Sequence, residues 1–276
     1  MMLVGLLLSV GLLAAVSGGF GDDDGGVASA VEVNEGTEDD DTMFGRGDTD
    51  LIDGRGGDDD ITGLGGDDIL LGGDGDDILK GREGDDFLVG GDGDDTLRGG
   101  DGDDTLLASD GADNLVGGGG NDLLIGAETL NRVPTASDIL ALLNSQPVAD
   151  FTYEPPEDQE PGSYLNGKGG DDYLLIGEGD TAEGGQGNDT FELGEWINDA
   201  DRAPVIEDYT PADDVIVVRY AAGNPPPTIT VDTSDEGFGL IDNIYANGEL
   251  IARNMSNEGG ALPRLSASDI QLVEVG

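Results

Sequence analysis

A period of nine residues runs from Gly36 to Ile125 and limits what the chain can fold into. Gly72-Gly73-Asp74-Gly75-Asp76-Asp77-Ile78-Leu79-Lys80 is one copy, and Gly90-Gly91-Asp92-Gly93-Asp94-Asp95-Thr96-Leu97-Arg98 is another. The sixth position is Asp41, Asp50, Asp59, Asp68, Asp77, Asp86, Asp95, Asp104, Asp113 and Asp122, without exception. The eighth is Met43, Ile52, Ile61, Leu70, Leu79, Leu88, Leu97, Leu106, Leu115 and Leu124, always large and apolar. One apolar residue per copy cannot bury itself. Stacked copies can align these residues into one narrow core, so the stretch reads as a solenoid. Glycines at positions one, two and four suit turns that need positive φ and close backbone approach. The recurring carboxylate is a hard oxygen ligand of the type calcium prefers. An acidic, Gly-rich disordered linker would require neither the sixth-position Asp nor the eighth-position aliphatic.

The pattern G-G-x-G-x-D-x-U-x, with U large and apolar, is that of the RTX repeat. The chain therefore resembles RTX proteins, also called hemolysin-type calcium-binding repeat proteins. The array resumes at Gly167-Lys168-Gly169-Gly170-Asp171-Asp172-Tyr173-Leu174-Leu175 and at Gly184-Gly185-Gln186-Gly187-Asn188-Asp189-Thr190-Phe191-Glu192. The resemblance implies an all-β chain: a parallel β-roll, which is a calcium-binding solenoid, capped by a small C-terminal β region. Two copies would make one coil. Positions one to six would form a calcium-binding turn, and seven to nine a short strand. The ligands implied for multiple Ca2+ ions are Asp41, Asp50, Asp59, Asp68, Asp77, Asp86, Asp95, Asp104, Asp113 and Asp122, with Asp172 and Asp189 in the second block.

Charge ties folding to the ion. Sixth-position carboxylates on adjacent coils would lie about 4.8 Å apart if they follow strand spacing. Each such pair repels by about 1 kcal/mol in water and about 3.5 kcal/mol at an effective dielectric of 20. A divalent cation reverses that sign, so binding and folding are expected to be one event. Without calcium, disorder is the leading expectation.

The net charge of −50 makes nucleic acid and anionic membranes unsuitable electrostatic partners and cations natural ones. With no cysteine there is neither a disulfide nor a thiolate site. With no histidine there is no H-E-x-x-H zinc site. No G-x-S-x-G, P-loop or dinucleotide fingerprint is present. The chain is read as a non-enzyme, although paired carboxylates leave a carboxylate-based glycosidase open by residue type.

Along the chain, residues 1–20 hold a hydrophobic segment, Met1 to Val16, without a preceding basic residue. It is short for a membrane span; a cleaved export signal and an anchor both remain open. Residues 21–35 are an acidic linker, 36–126 the roll, 127–162 an insertion, 163–192 the roll continued, and 193–276 a C-terminal β cap and secretion region. In the insertion, Ser137–Leu143 reads as a short helix, and the whole as a loop thrown out from one edge or a ligand-binding loop. Ile176–Glu183 is one residue short of a copy, and the roll is expected to continue through this block. In the C-terminal region, Asp214–Tyr220 and Thr228–Asp232 read as strands, and Asn247-Gly248 as a hairpin turn. Val205-Ile206-Glu207-Asp208-Tyr209 and the Ser268-Asp269-Ile270-Gln271-Leu272-Val273 end are similar to the segments that follow RTX arrays in type I secretion substrates. The expected protein is secreted, or associated with the cell surface, and folds on extracellular calcium. Secretion machinery and an extracellular glycan or surface are its other expected partners. The alternatives are an adhesion or matrix module and a polysaccharide-acting enzyme.

Overall fold

The computed structural model describes residues 33–126, 136, 162–194, 197, 199–221, 223–235, 240–255 and 265–275. The N-terminal hydrophobic segment and the Ser137–Leu143 helix expected in the insertion lie outside them.

The array gives β1 (Val33–Glu35), β2 (Thr42–Phe44), β3 (Leu51–Gly56), β4 (Asp60–Gly65), β5 (Ile69–Asp74), β6 (Ile78–Glu83), β7 (Phe87–Asp92), β8 (Thr96–Asp101), β9 (Thr105–Asp110), β10 (Asn114–Gly119) and β11 (Leu123–Ile125). After the insertion come β12 (Tyr164–Gly169), β13 (Tyr173–Leu175), β14 (Thr181–Gln186) and β15 (Thr190–Leu193). The C-terminal region adds β16 (Val205–Ile206), β17 (Val215–Ala221), β18 (Ile229–Asp235), β19 (Leu240–Ala246), β20 (Glu249–Asn254) and β21 (Ile270–Val275).

From β1 to β17 successive strands alternate between two sheets. One runs β1-β3-β5-β7-β9-β11-β13-β15-β17-β21, and the other runs β2-β4-β6-β8-β10-β12-β14-β16-β20-β19-β18. Neighbours in the array pair in parallel, Ile52 beside Leu70 and Leu70 beside Leu88, so two copies make one coil. Eighth-position side chains from both sheets point inward. Leu70, Leu79, Leu88, Leu97 and Leu106 have no exposed surface and form the single file of core that the period demanded. The insertion is bridged in register, since Leu115 pairs with Leu165 and Leu124 with Leu174.

One expectation needs correcting. β3 to β10 do not stop at position nine but run on through positions one to three of the next copy, as in Ile69–Asp74, whereas β2, β11 and β13 end at position nine as expected. The turn is confined to positions four to six, because the backbone ahead of it stays in the ladder: Gly75 N–H donates to Asp92 O at 2.7 Å. Three residues suffice to reverse direction because the fourth-position glycine adopts positive φ, 130° at Gly75 and 134° at Gly93.

The C-terminal region extends both sheets. β17 continues the odd-numbered sheet and pairs in parallel with β21, while β16 continues the even-numbered sheet. β18, β19 and β20 are antiparallel. Asn247 and Gly248, at φ 54° and 90°, make the two-residue turn between β19 and β20.

Candidate metal centre

Each sixth-position Asp sits at the end of a turn, immediately before a strand, with its carboxylate turned under the neighbouring coil. The backbone N–H of one coil donates to the Oδ1 of the next: Asp59 to Asp77 at 2.7 Å, Asp77 to Asp95 at 2.8 Å and Asp95 to Asp113 at 2.8 Å. A second ladder runs along the other side of the roll. There Asp50 donates to Asp68, Asp68 to Asp86, Asp86 to Asp104 and Asp104 to Asp122, at 2.7–2.9 Å. It continues from Asp122 to Asp172 and from Asp172 to Asp189. All twelve carboxylates singled out in the sequence therefore fall on these two ladders, with Asp41 starting the first by donating to Asp59.

Only one oxygen of each carboxylate is used in this way. The Oδ2 atoms of Asp59, Asp68, Asp77, Asp86, Asp95, Asp104, Asp113, Asp122 and Asp172 are buried and have no hydrogen-bond partner. A buried, unpartnered anionic oxygen is costly, and nine in two files cannot be incidental. The cost shows in their acidity. Burial, with repulsion from neighbouring carboxylates, pushes Asp68, Asp77, Asp113 and Asp122 up to about 7. The same causes take Asp95 and Asp104 to about 8 and Asp86 to about 9.

The first-position glycine explains where these oxygens point. A Cβ on Gly72 would sit 2.2 Å from Asp77 Oδ2 and 2.5 Å from the Gly90 carbonyl oxygen of the next coil. A Cβ on Gly90 would meet Asp95 Oδ2 at 2.2 Å and Ala108 O at 2.8 Å. The missing side chain thus leaves a gap into which a carboxylate oxygen and a backbone carbonyl both face. Among the described residues no three acidic side chains converge closely enough to hold an ion by themselves. The donor set is one carboxylate oxygen per turn with backbone carbonyls: all oxygen, hard and anionic. It fits calcium and excludes metals that demand nitrogen or sulfur.

The two ends of the ladders are built differently. Asp41 Oδ2 accepts from Thr37 N–H at 2.7 Å, and Asp50 Oδ2 accepts from Arg46 N–H. At the other end, Asp180 Oδ2 accepts from Gly177 N–H and Asp214 Oδ2 from Thr210 N–H, both at 2.6 Å. These terminal carboxylates close on their own turns. The first two copies lack the fourth-position glycine, which removes the positive φ that opens the interior turns.

Three ladder members escape a count by nine. Ser163 takes the sixth position at the end of the insertion, where its hydroxyl accepts from Asp113 N–H at 3.0 Å. Asp180 accepts from Ser163 N–H at 2.7 Å and holds that place in the shortened copy. Asp214 accepts from Asp189 N–H at 3.0 Å, beyond the last repeat. The detectable signal was a short polar residue two positions before the core residues Leu165, Ala182 and Ile216.

No curated protein matches the chain. Among solved structures, the extracellular lipase LipA from Serratia marcescens is similar at a TM-score of 0.23 and 16% identity. That match covers 71% of this chain and 40% of the lipase, so the chain spans well under half of that structure's length. The RTX calcium-binding nonapeptide repeat family matches residues 35–70, 62–97, 71–106, 98–128 and 177–195. Sequence period and roll agree with that match: residues 35–128 and 177–195 of this chain carry RTX, or hemolysin-type calcium-binding, repeats.

Proposed function

We propose that this protein is a secreted calcium-binding β-roll whose array folds when it takes up extracellular calcium. The observation that carries this reading is the set of nine buried Oδ2 atoms without partners. Asp59, Asp68, Asp77, Asp86, Asp95, Asp104, Asp113, Asp122 and Asp172 would ligate the ions together with turn carbonyls. Asp189 would extend the set at the C-terminal end, and Asp41 and Asp50, already satisfied by their own turns, would bind weakly. Calcium supplies positive charge where desolvated carboxylates otherwise repel, so the ion is worth most in the folded state.

Circular dichroism in chelator and then in calcium tests the reading. Coil signal in chelator and strand signal at roughly 0.1–1 mM calcium, the range of extracellular modules, is expected. A fully formed roll in chelator at neutral pH and low salt would refute it. Export would use the N-terminal apolar segment or the C-terminal Ser268–Val273 region; among the described residues no helix is long and apolar enough to cross a membrane. The biological role in this reading is that of a non-enzymatic calcium-dependent scaffold. An adhesion module is the second reading, favoured by the side chains displayed on one outer sheet face, where Lys80, Arg98 and Asn114 are accessible. A glycan-binding screen with and without calcium separates the two.

A further inference from the structure

The two outer faces of the roll differ in how far they are covered. Residues at positions seven and nine flank the inward eighth residue and so point away from the core. On the even-numbered sheet they include Thr42, Asp60, Lys80, Thr96, Arg98 and Asn114, all exposed or half-buried. On the odd-numbered sheet they include Ile69, Leu71, Phe87, Val89, Leu107 and Ile125, each exposed by 5% or less. Every described strand lies within one of the two sheets, so no described strand supplies the cover.

Ala136, a described residue of the insertion, lies at this face. It is 6% exposed and belongs to the same apolar cluster, and its backbone N–H donates to the Asp53 carboxylate. Asp53 is the ninth-position residue on β3, on this outer face. The chain leaves the odd-numbered sheet after β11, four strands from β3, and re-enters the roll at β12. Four strand spacings are about 19 Å, and ten residues reach about 33 Å, so Gly126 to Ala136 spans the distance across the face.

We propose that the insertion is the standing cover of this face. Its apolar run Ile139-Leu140-Ala141-Leu142-Leu143 would then lie against Ile69, Leu71, Phe87, Val89 and Leu107, all buried on this face. Asp138 and Asn144 bracket that run with polar side chains, which sets its length. An apolar sheet face of this extent left bare would drive self-association, and the insertion supplies apolar surface at the place where Ala136 already makes contact. The insertion is then neither a loop thrown clear of the roll nor a free binding loop. This holds whatever ion folds the roll.

The full chain in calcium, carrying the photo-crosslinker p-benzoylphenylalanine at position 87 and in a second variant at position 107, tests the placement. Peptide mapping after irradiation should find crosslinks within residues 136–147. Crosslinks to the N-terminal apolar run, to a second copy, or to nothing would overturn it. Because a larger ring at a buried site can disturb the sheet, hydroxyl-radical footprinting of the native side chains gives a second measurement. Phe87 oxidation is compared between the unmodified chain and one with residues 139–143 replaced by Gly and Ser, strand circular dichroism confirming that both rolls are formed. A several-fold rise in Phe87 oxidation is expected, and unchanged oxidation would overturn the proposal.

Discussion

Two adjacent aspartates in the middle of the array, equal in charge, should respond very unequally to loss of that charge. Asp77 is 1% exposed; its Oδ1 accepts from Asp59 N–H and its Oδ2 is unpartnered. Asp76 is exposed, and its Oδ1 accepts from Asp94 N–H at 3.0 Å. In Asp77→Asn the Oδ1 bond survives, but an amide N–H replaces the only carboxylate oxygen facing the gap beside Gly72. An amide nitrogen cannot ligate calcium, so the calcium-loaded roll should lose about 1–3 kcal/mol, the scale of a charged group's partner. In Asp76→Asn the amide oxygen can still accept, as Asn121 Oδ1 does from Asp171 N–H at 2.8 Å, so the change should be near neutral. The right assay is denaturant unfolding at saturating calcium. If about nine ions bind in one step, the same loss moves a calcium midpoint by only ~1.2–1.8-fold, since it is spread over all of them. In chelator the order should reverse, because Asp77→Asn removes a desolvated charge. Equal losses in calcium, or a larger one for Asp76→Asn, would show that the sixth-position carboxylate does not hold the ion.

Acid should partly replace calcium. The folded-state values of about 7 to 9 for the interior aspartates lie above the unfolded value near 3.8, so the folded chain binds protons more tightly. Their contribution to metal-free stability is full below about 4 and is lost as pH rises through 7 to 9. In chelator, strand signal should therefore grow between pH 8 and pH 5, and a flat or falling signal would contradict this. Gly91→Ala should weaken the roll by at least ~1–3 kcal/mol in denaturant, because φ is 126° and a Cβ would lie 2.0 Å from Gly73 O. Ser163→Asp should restore a carboxylate to the interrupted ladder and raise the bound-ion count by one in native mass spectrometry. Truncation from Leu265 removes β21 from the edge of β17; calcium-induced strand signal from residues 36–126 should persist, while loss of export would assign the signal to the C-terminal region and normal secretion would assign it to the N-terminal segment.

The roll was legible because two constraints recur at one spacing: an aspartate that ends each turn and an aliphatic that fills each layer of core. Where the spacing breaks, legibility fails. Ser163 pairs with a partner 50 residues back in sequence, and Asp214 with one 25 residues back, so neither falls on a count by nine. Ile176–Glu183 was visible as a copy one residue short, but Asp180 was not legible there as a ladder member. The asymmetry of the two faces was hidden for another reason. Adjacent copies supply opposite sheets, so a nine-residue alignment mixes Leu71 and Val89 with Lys80 and Arg98; only every second copy shares a face. The extra length of the strands was not legible because the glycines at positions one and two suggest turn, while parallel neighbours keep their backbone groups in the sheet.

The central claim is that the buried carboxylate files hold calcium, and native mass spectrometry of the refolded full chain counts the ions directly. Nine unpartnered Oδ2 atoms predict about nine bound calcium ions, taken up together rather than one by one. A folded chain carrying one or two ions, or none, would contradict the account.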